Sequence, residues 1–151
     1  MFENLITGHE AEFLIKLIIC IAAGLLIGIE RELRGKSAGI STHAFVIGGS
    51  MVFTLLSIYL DPNEPARIAA QIVSGIGFLG AGIILKESNG EIINLTTAAS
   101  LWFSAGIGML IGFGWYLIAA VTIVFAIFTP RIPHLWGKKD FEHKKPARII
   151  G

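Results

Sequence analysis

Glu30, Arg31 and Glu32 close the first apolar run of the chain, and Asp61, Glu64 and Arg67 stand between the second and the third. Carboxylates clustered in this way can dock a hard divalent cation such as Mg2+, which takes oxygen ligands and keeps much of its water. Glu30, Glu32 and Asp61 are therefore the candidates for loose cation docking. Their spacing matches no specific metal signature, and charge pairs that end helices give the same pattern. Beyond Mg2+ as a ligand or transported ion, no cofactor is expected.

A second set of polar residues lies on the third run, Arg67-Ile-Ala-Ala-Gln-Ile-Val-Ser-Gly-Ile-Gly-Phe-Leu-Gly-Ala-Gly-Ile-Ile-Leu85. At ~1.5 Å per helical residue it spans roughly 28 Å, the thickness of a bilayer's hydrocarbon core. Arg67, Gln71 and Ser74 fall at i, i+4 and i+7 and so share one side. Ionisable residues at membrane depth are functional candidates, here for a polar entrance or a partner site. Ala70, Ser74, Gly77 and Ala81 form an overlapping small-residue stripe, and Gly75, Gly80 and Gly82 add further close-approach positions. Small stripes let membrane helices pack closely, so this helix is expected at the centre of a bundle.

The elements that position these residues follow from composition. With 54% hydrophobic residues, 15% charged residues and a mean hydropathy of +0.72 over 151 residues, the chain is too apolar for an ordinary soluble domain. The sequence predicts an all-α, polytopic membrane bundle. The first dozen residues hold three glutamates and no Lys or Arg, so the first run, about 13–29, is expected to be a retained span and not a signal peptide. Lys16 within it is expected to snorkel to the headgroups. Cys20, Gly24 and Gly28 give it a flat face, and the single cysteine excludes an intrachain disulfide. The second run, about 44–60, has Ala44 and Gly48 as small positions, starts beside His43, expected at the interface, and ends in the Asp61-Pro62-Asn63-Glu64-Pro65 turn.

The fourth run, about 96–111, starts near Thr96 and Thr97, with Asn94 or Thr96 as N-cap. Thr96, Ser100, Ser104, Gly108 and Gly112 repeat every four residues, so this helix should be the most enclosed by protein. Trp115 to Phe128 is a short fifth run with aromatic ends suited to the interface. Gly75 to Gly82 also weakly echoes Gly106 to Gly114, as inverted glycine-interrupted repeats of transporters do, although low complexity of glycine-rich spans is the readier explanation.

Lys and Arg positions orient the bundle. With the N-terminus outside and five spans, ten of the twelve bases lie inside: Arg31, Arg34, Lys36, Lys86 and six in the tail. Residues 1–129 then form the transmembrane domain and 130–151 a basic cytoplasmic tail attracted to anionic lipid. Enzymatic readings lack their parts. Gly75-x-Gly77-x-x-Gly80 has no strand before it and is not a dinucleotide motif, and no Walker loop, zincin motif or Gly-x-Ser-x-Gly elbow is present. No catalytic residue and no nucleic-acid partner is expected.

The strings Gly28-Ile-Glu30-Arg31-Glu32, Thr42-His43, Arg67 to Gly82, and Leu95-Thr96-Thr97-Ala-Ala-Ser-Leu-Trp102 together resemble the membrane domain of the MgtC/SapB family over about residues 12–128. The resemblance implies a bacterial inner-membrane protein linked to magnesium homeostasis and growth at low magnesium, and in pathogens often to survival within host cells. It carries Glu30, Arg31, Glu32, Asp61, Arg67, Gln71, Ser74, Thr96, Thr97 and Trp102 over as matching positions. The chain departs from the pattern in two places. Gly39-Ile-Ser41-Thr42-His43 stands where many relatives have Leu-Arg-Thr, and the stretch beyond Thr129 is too short for the soluble C-terminal domain of longer members.

Two functions are consistent with these features. The bundle passes or senses an ion, in which case one five-helix protomer makes a poor pore and at least a dimer is expected. Alternatively, its small-residue faces, Thr96 to Gly112 and Cys20 to Gly28, dock onto another membrane complex; the resemblance suggests the ATP synthase as such a partner.

Overall fold

The computed structural model describes residues 8–60, 62–64, 66–86 and 92–132. Within them the chain is helical apart from one small hairpin. Helix α1 covers Glu10–Leu33, α2 Ile40–Leu60, α3 Ala66–Ile83, α4 Leu95–Gly112 and α5 Tyr116–Phe128, followed by a 3-10 turn at Thr129–Arg131. Between α3 and α4, β1 (Leu85–Lys86) and β2 (Ile92–Ile93) pair antiparallel, Leu85 opposite Ile93 and Lys86 opposite Ile92. The sequence reads that segment only as a polar turn. The expected Asp61 site and the basic tail from residue 133 onward lie outside the described residues.

Four of the helices, α1 to α4, are long and apolar enough to cross a membrane; α5, at 13 residues, is shorter. The α1 helix extends past the apolar run on both sides. Its charged end stays helical to Leu33 because Glu30 and Arg31 turn into the bundle instead of leaving it. Gly35, at φ +63°, stops it. The Lys36 N–H donates to the Arg31 carbonyl and the Gly35 N–H to that of Glu32, the paired bonds of a left-handed C-terminal cap. Helix α4 ends in the same way at Gly114, φ +80°, with Trp115 N–H on Leu110 and Gly114 N–H on Ile111.

Helix α2 is the hub, touching α1, α3 and α4. Glycine makes two of these seams. A Cβ on Gly24 would stand 2.5 Å from the Ala44 Cα, and one on Gly28 would strike Ile40, so α1 and α2 are in backbone contact. Against α4, Gly108 meets the Ile47 carbonyl and Ser50, and Gly112 meets Thr54. The core between them holds Cys20, Ala23, Ile27, Ile47, Met51, Leu55, Ile107 and Ile111.

These seams correct two expectations. Helix α3 is not the centre of the bundle. Only its Ala69 and Gly80 are buried, and Gly75, Gly77 and Gly82 have open space where a side chain would stand. Of the faces expected to capture a partner, Cys20 to Gly28 and Thr96 to Gly112, the first and the Ser104 to Gly112 part of the second are closed inside the protomer, while Thr96 stays exposed and Ser100 half-buried. The expectation for α4 holds, with half of its residues buried. The glycine echo is not carried through in packing: Gly108 and Gly112 press on α2, while Gly77 and Gly82 on α3 face open space, although Gly75 and Gly106 are alike in being open.

Candidate functional site

The bundle contains a seam of buried polar side chains. On α2, His43, Ser50, Thr54 and Ser57 are all buried, at spacings of seven, four and three, which is one helical face. His43 is fully buried, its Nδ1 2.8 Å from Ser104 Oγ on α4. The expected interfacial placement of His43 is thus wrong, because the α1–α2 contact through Gly24 and Gly28 draws the start of α2 into the bundle. Thr54 Oγ1 donates to the Ser50 carbonyl at 2.8 Å, satisfying itself within its helix. Ser57 Oγ accepts from the Ala69 N–H at 3.2 Å and so ties down the first turn of α3.

A charged knot stands at each end of this seam. At one end, Arg31 is 1% exposed and its Nη2 donates to Thr97 Oγ1 at 3.0 Å. Glu30, also buried, accepts from Arg34 Nη1 at 3.2 Å. Glu32 Oε1 accepts the Ile40 N–H at 2.9 Å, capping the start of α2. Asn94, at φ +65°, makes no side-chain cap for α4; it donates to the Ile83 carbonyl and accepts from Ser37, linking α3 to the α1–α2 loop. Thr96, the other cap expected, lies inside the helix.

At the other end, Lys16 is buried. Its Nζ sits 2.6 Å from Glu12 and donates to the Gly112 carbonyl at 2.8 Å. Glu12 also accepts from Tyr59 OH at 3.0 Å, and Tyr59 stacks on His9 at 4.3 Å. Lys16 does not reach the headgroups as expected. The open last turn of α4 presents a carbonyl to the ammonium, and a paired ammonium is cheaper to bury than a bare one.

Four buried atoms have no partner among the described residues: Glu30 Oε2, Arg31 Nε, Arg31 Nη1 and His43 Nε2. They mark the Arg31 end and the adjoining part of the seam as the polar centre of the bundle. An unsatisfied buried donor costs about 1–3 kcal/mol, which is tolerated mostly where function needs it.

The structure brings together Glu30, Arg31 and Thr97, with Glu32 at the edge of the group. It does not bring Arg67, Gln71 or Ser74 to them; these lie exposed on α3, whose first turn is at the Lys16 end. Thr96 is exposed beside the Arg31 knot, and Trp102 is half-exposed, lining an apolar groove with Ile72, Ile76 and Trp115. No three His, Cys, Asp or Glu side chains converge among the described residues. Sequence reasoning missed Lys16, Ser50, Thr54 and Ser57. For the three hydroxyls the signal was the polar 3-4 spacing on α2, hidden by the apolar residues between; for Lys16 on α1 it was the lone charge inside an apolar run.

A model of the MgtC family matches residues 17–134. The protein MgtC of Salmonella typhimurium strain LT2 is 50% identical over 113 residues, 74% of this chain and 48% of that one. A protein of Escherichia coli K12 named putative magnesium transporter YhiD is 44% identical over 133 residues, 82% of this chain and 61% of its own. An uncharacterized protein of Haemophilus influenzae is 39% identical over 143 residues, 88% of this chain and 59% of its own. The chain thus spans about half to three-fifths of these relatives. No solved structure matches it. With the family's model covering most of the bundle, its apolar helices and its bacterial relatives, this chain belongs to the MgtC family as a multi-pass protein of the bacterial inner membrane.

Proposed function

We propose that the chain is a non-enzymatic membrane protein of magnesium homeostasis and adaptation to low magnesium, crossing the membrane five times with its N-terminus outside and C-terminus inside. The names MgtC and putative magnesium transporter support the link to magnesium. The observation that carries the mechanism is the buried seam from Arg31 through His43 and Ser104 to Lys16. One end holds the buried Arg31 guanidinium and the other the buried Lys16 paired with Glu12, and Mg2+ sheds water reluctantly, so the seam lacks the run of oxygen ligands that would carry the ion along one protomer. The geometry therefore favours sensing of an ion, or conduction between protomers of a dimer, over a pore in one chain.

Flux of Mg2+ and K+ into proteoliposomes tests this. The sensing reading expects sealed vesicles and a Mg2+-dependent rise in the protein's thermal stability. Flux that His43→Phe abolishes would make the seam a path and overturn sensing; flux that Arg67→Ala abolishes would move it to the outer face of α3.

A second reading, a regulatory protein that binds another membrane complex such as the ATP synthase, is favoured by one feature. Helix α3 shows its small-residue face, Ala70, Ser74, Gly77 and Ala81, to the outside. Gly77→Leu, which meets nothing inside the protomer, should then remove dimer or partner crosslinks without loss of folded protein. Crosslinks that persist would end this reading.

A further inference from the structure

A cavity of about 310 Å3 opens where α1 ends, α4 begins and α5 ends. One part of its wall is cationic, formed by Arg31, Arg34 and Lys36 with the Ser100 hydroxyl beside them; the other is apolar, with Phe103 and Phe125. Pockets of this size, mostly apolar with a few converging polar groups, hold small ligands. Phe125 is 56% exposed on the outer surface of the bundle, so the apolar part continues onto the face that lipid tails would cover.

Arg31 indicates what the polar part takes. Its guanidinium is buried, and no carboxylate lies within ion-pair range of it among the described residues; the adjacent Glu30 pairs with Arg34 instead. One nitrogen bonds Thr97, while Nε and Nη1 have no partner among the described residues. Arg31 is itself one of the residues that line the cavity. A buried cation with idle donors is complemented by an anion, and the guanidinium fork fits phosphate oxygens in pairs. Helix α4 begins here without a side-chain cap, and its positive end adds to the same field.

We infer that this cavity binds the phosphate of an anionic phospholipid, seated among Arg31, Arg34 and Lys36, with an acyl chain leaving along Phe103 and Phe125. The apolar wall selects a lipid over a free phosphate, since inorganic phosphate would leave it uncovered.

Native mass spectrometry of the full chain in detergent tests this, with phosphatidylglycerol and phosphatidylcholine of matched chains at equal concentration. Wild type should retain phosphatidylglycerol by roughly tenfold over phosphatidylcholine, the size of one charge-assisted contact. Arg34→Gln with Lys36→Gln, both on exposed residues and with the glutamine amide still able to donate to Glu30, should remove most of that preference while the protein stays monodisperse. Ala99→Trp, which fills the cavity and leaves every cation in place, should abolish retention and so separates this site from general attraction to the basic tail. A preference unchanged in both variants would overturn the proposal. In a second arm, lipid-stripped protein is titrated with inorganic phosphate; saturable binding without any lipid preference would overturn the assignment to lipid.

Discussion

His43 is fully buried with one ring nitrogen bonded to Ser104 and the other without a partner among the described residues. Removing the Ser104 hydroxyl leaves the ring without its one bond in a medium that offers no water. Ser104→Ala should therefore lower stability by about 1 kcal/mol, read as a shift in unfolding by denaturing detergent. Glu32 acts at a helix end instead. Glu32→Ala should destabilise by a similar ~1 kcal/mol through the open Ile40 N–H, and Glu32→Gln, which keeps an acceptor, by much less. At this scale the sequence is half legible. It marks Arg31 and Thr97 as important and puts them on one side of the membrane, but their bond forms across 66 positions and depends on how far α1 continues as helix. His43 misleads because a histidine at the edge of an apolar run has the same sequence signature whether it meets headgroups or a serine on a neighbouring helix.

Among the helices, glycine is the part of the pattern that is easy to see and hard to interpret. A four-residue glycine stripe announces close approach, and α1 and α4 use theirs against α2. The stripe on α3 is just as regular and faces outward, because nothing in spacing says whether the approaching helix belongs to the same chain. The contrast is testable. Gly108→Leu puts a side chain into the Ile47 carbonyl and Ser50, so it should cost several kcal/mol by overpacking and appear as a collapse of the monodisperse fraction in size-exclusion chromatography. Gly77→Leu should leave that fraction intact.

For the whole molecule, membrane character, helix number and helix order are legible because a bilayer demands long apolar helices. The packing order is not, since lipid-facing and protein-facing residues are equally apolar, and α3 is displaced from the centre for that reason. Orientation is open to chemical labelling. With the proposed five spans, a membrane-impermeant maleimide on intact spheroplasts should modify Asn63→Cys and spare both Lys36→Cys and Ile132→Cys. Modification of Ile132→Cys alone with Asn63→Cys would mean that α5 does not cross. Cys20 is buried and does not confound the assay.

The Lys16 knot also has a consequence in time. The ammonium's acceptor is the carbonyl of Gly112, 96 positions further along the chain, and ribosomes work from one end. While α1 is in the membrane and α4 is not yet made, Lys16 must turn toward the headgroups beside Glu12, as its position in the apolar run suggests. The inward bond to Gly112 can form only once the fourth helix is in place, so the knot ties the first helix to a late stage of assembly, with only α5 still to follow.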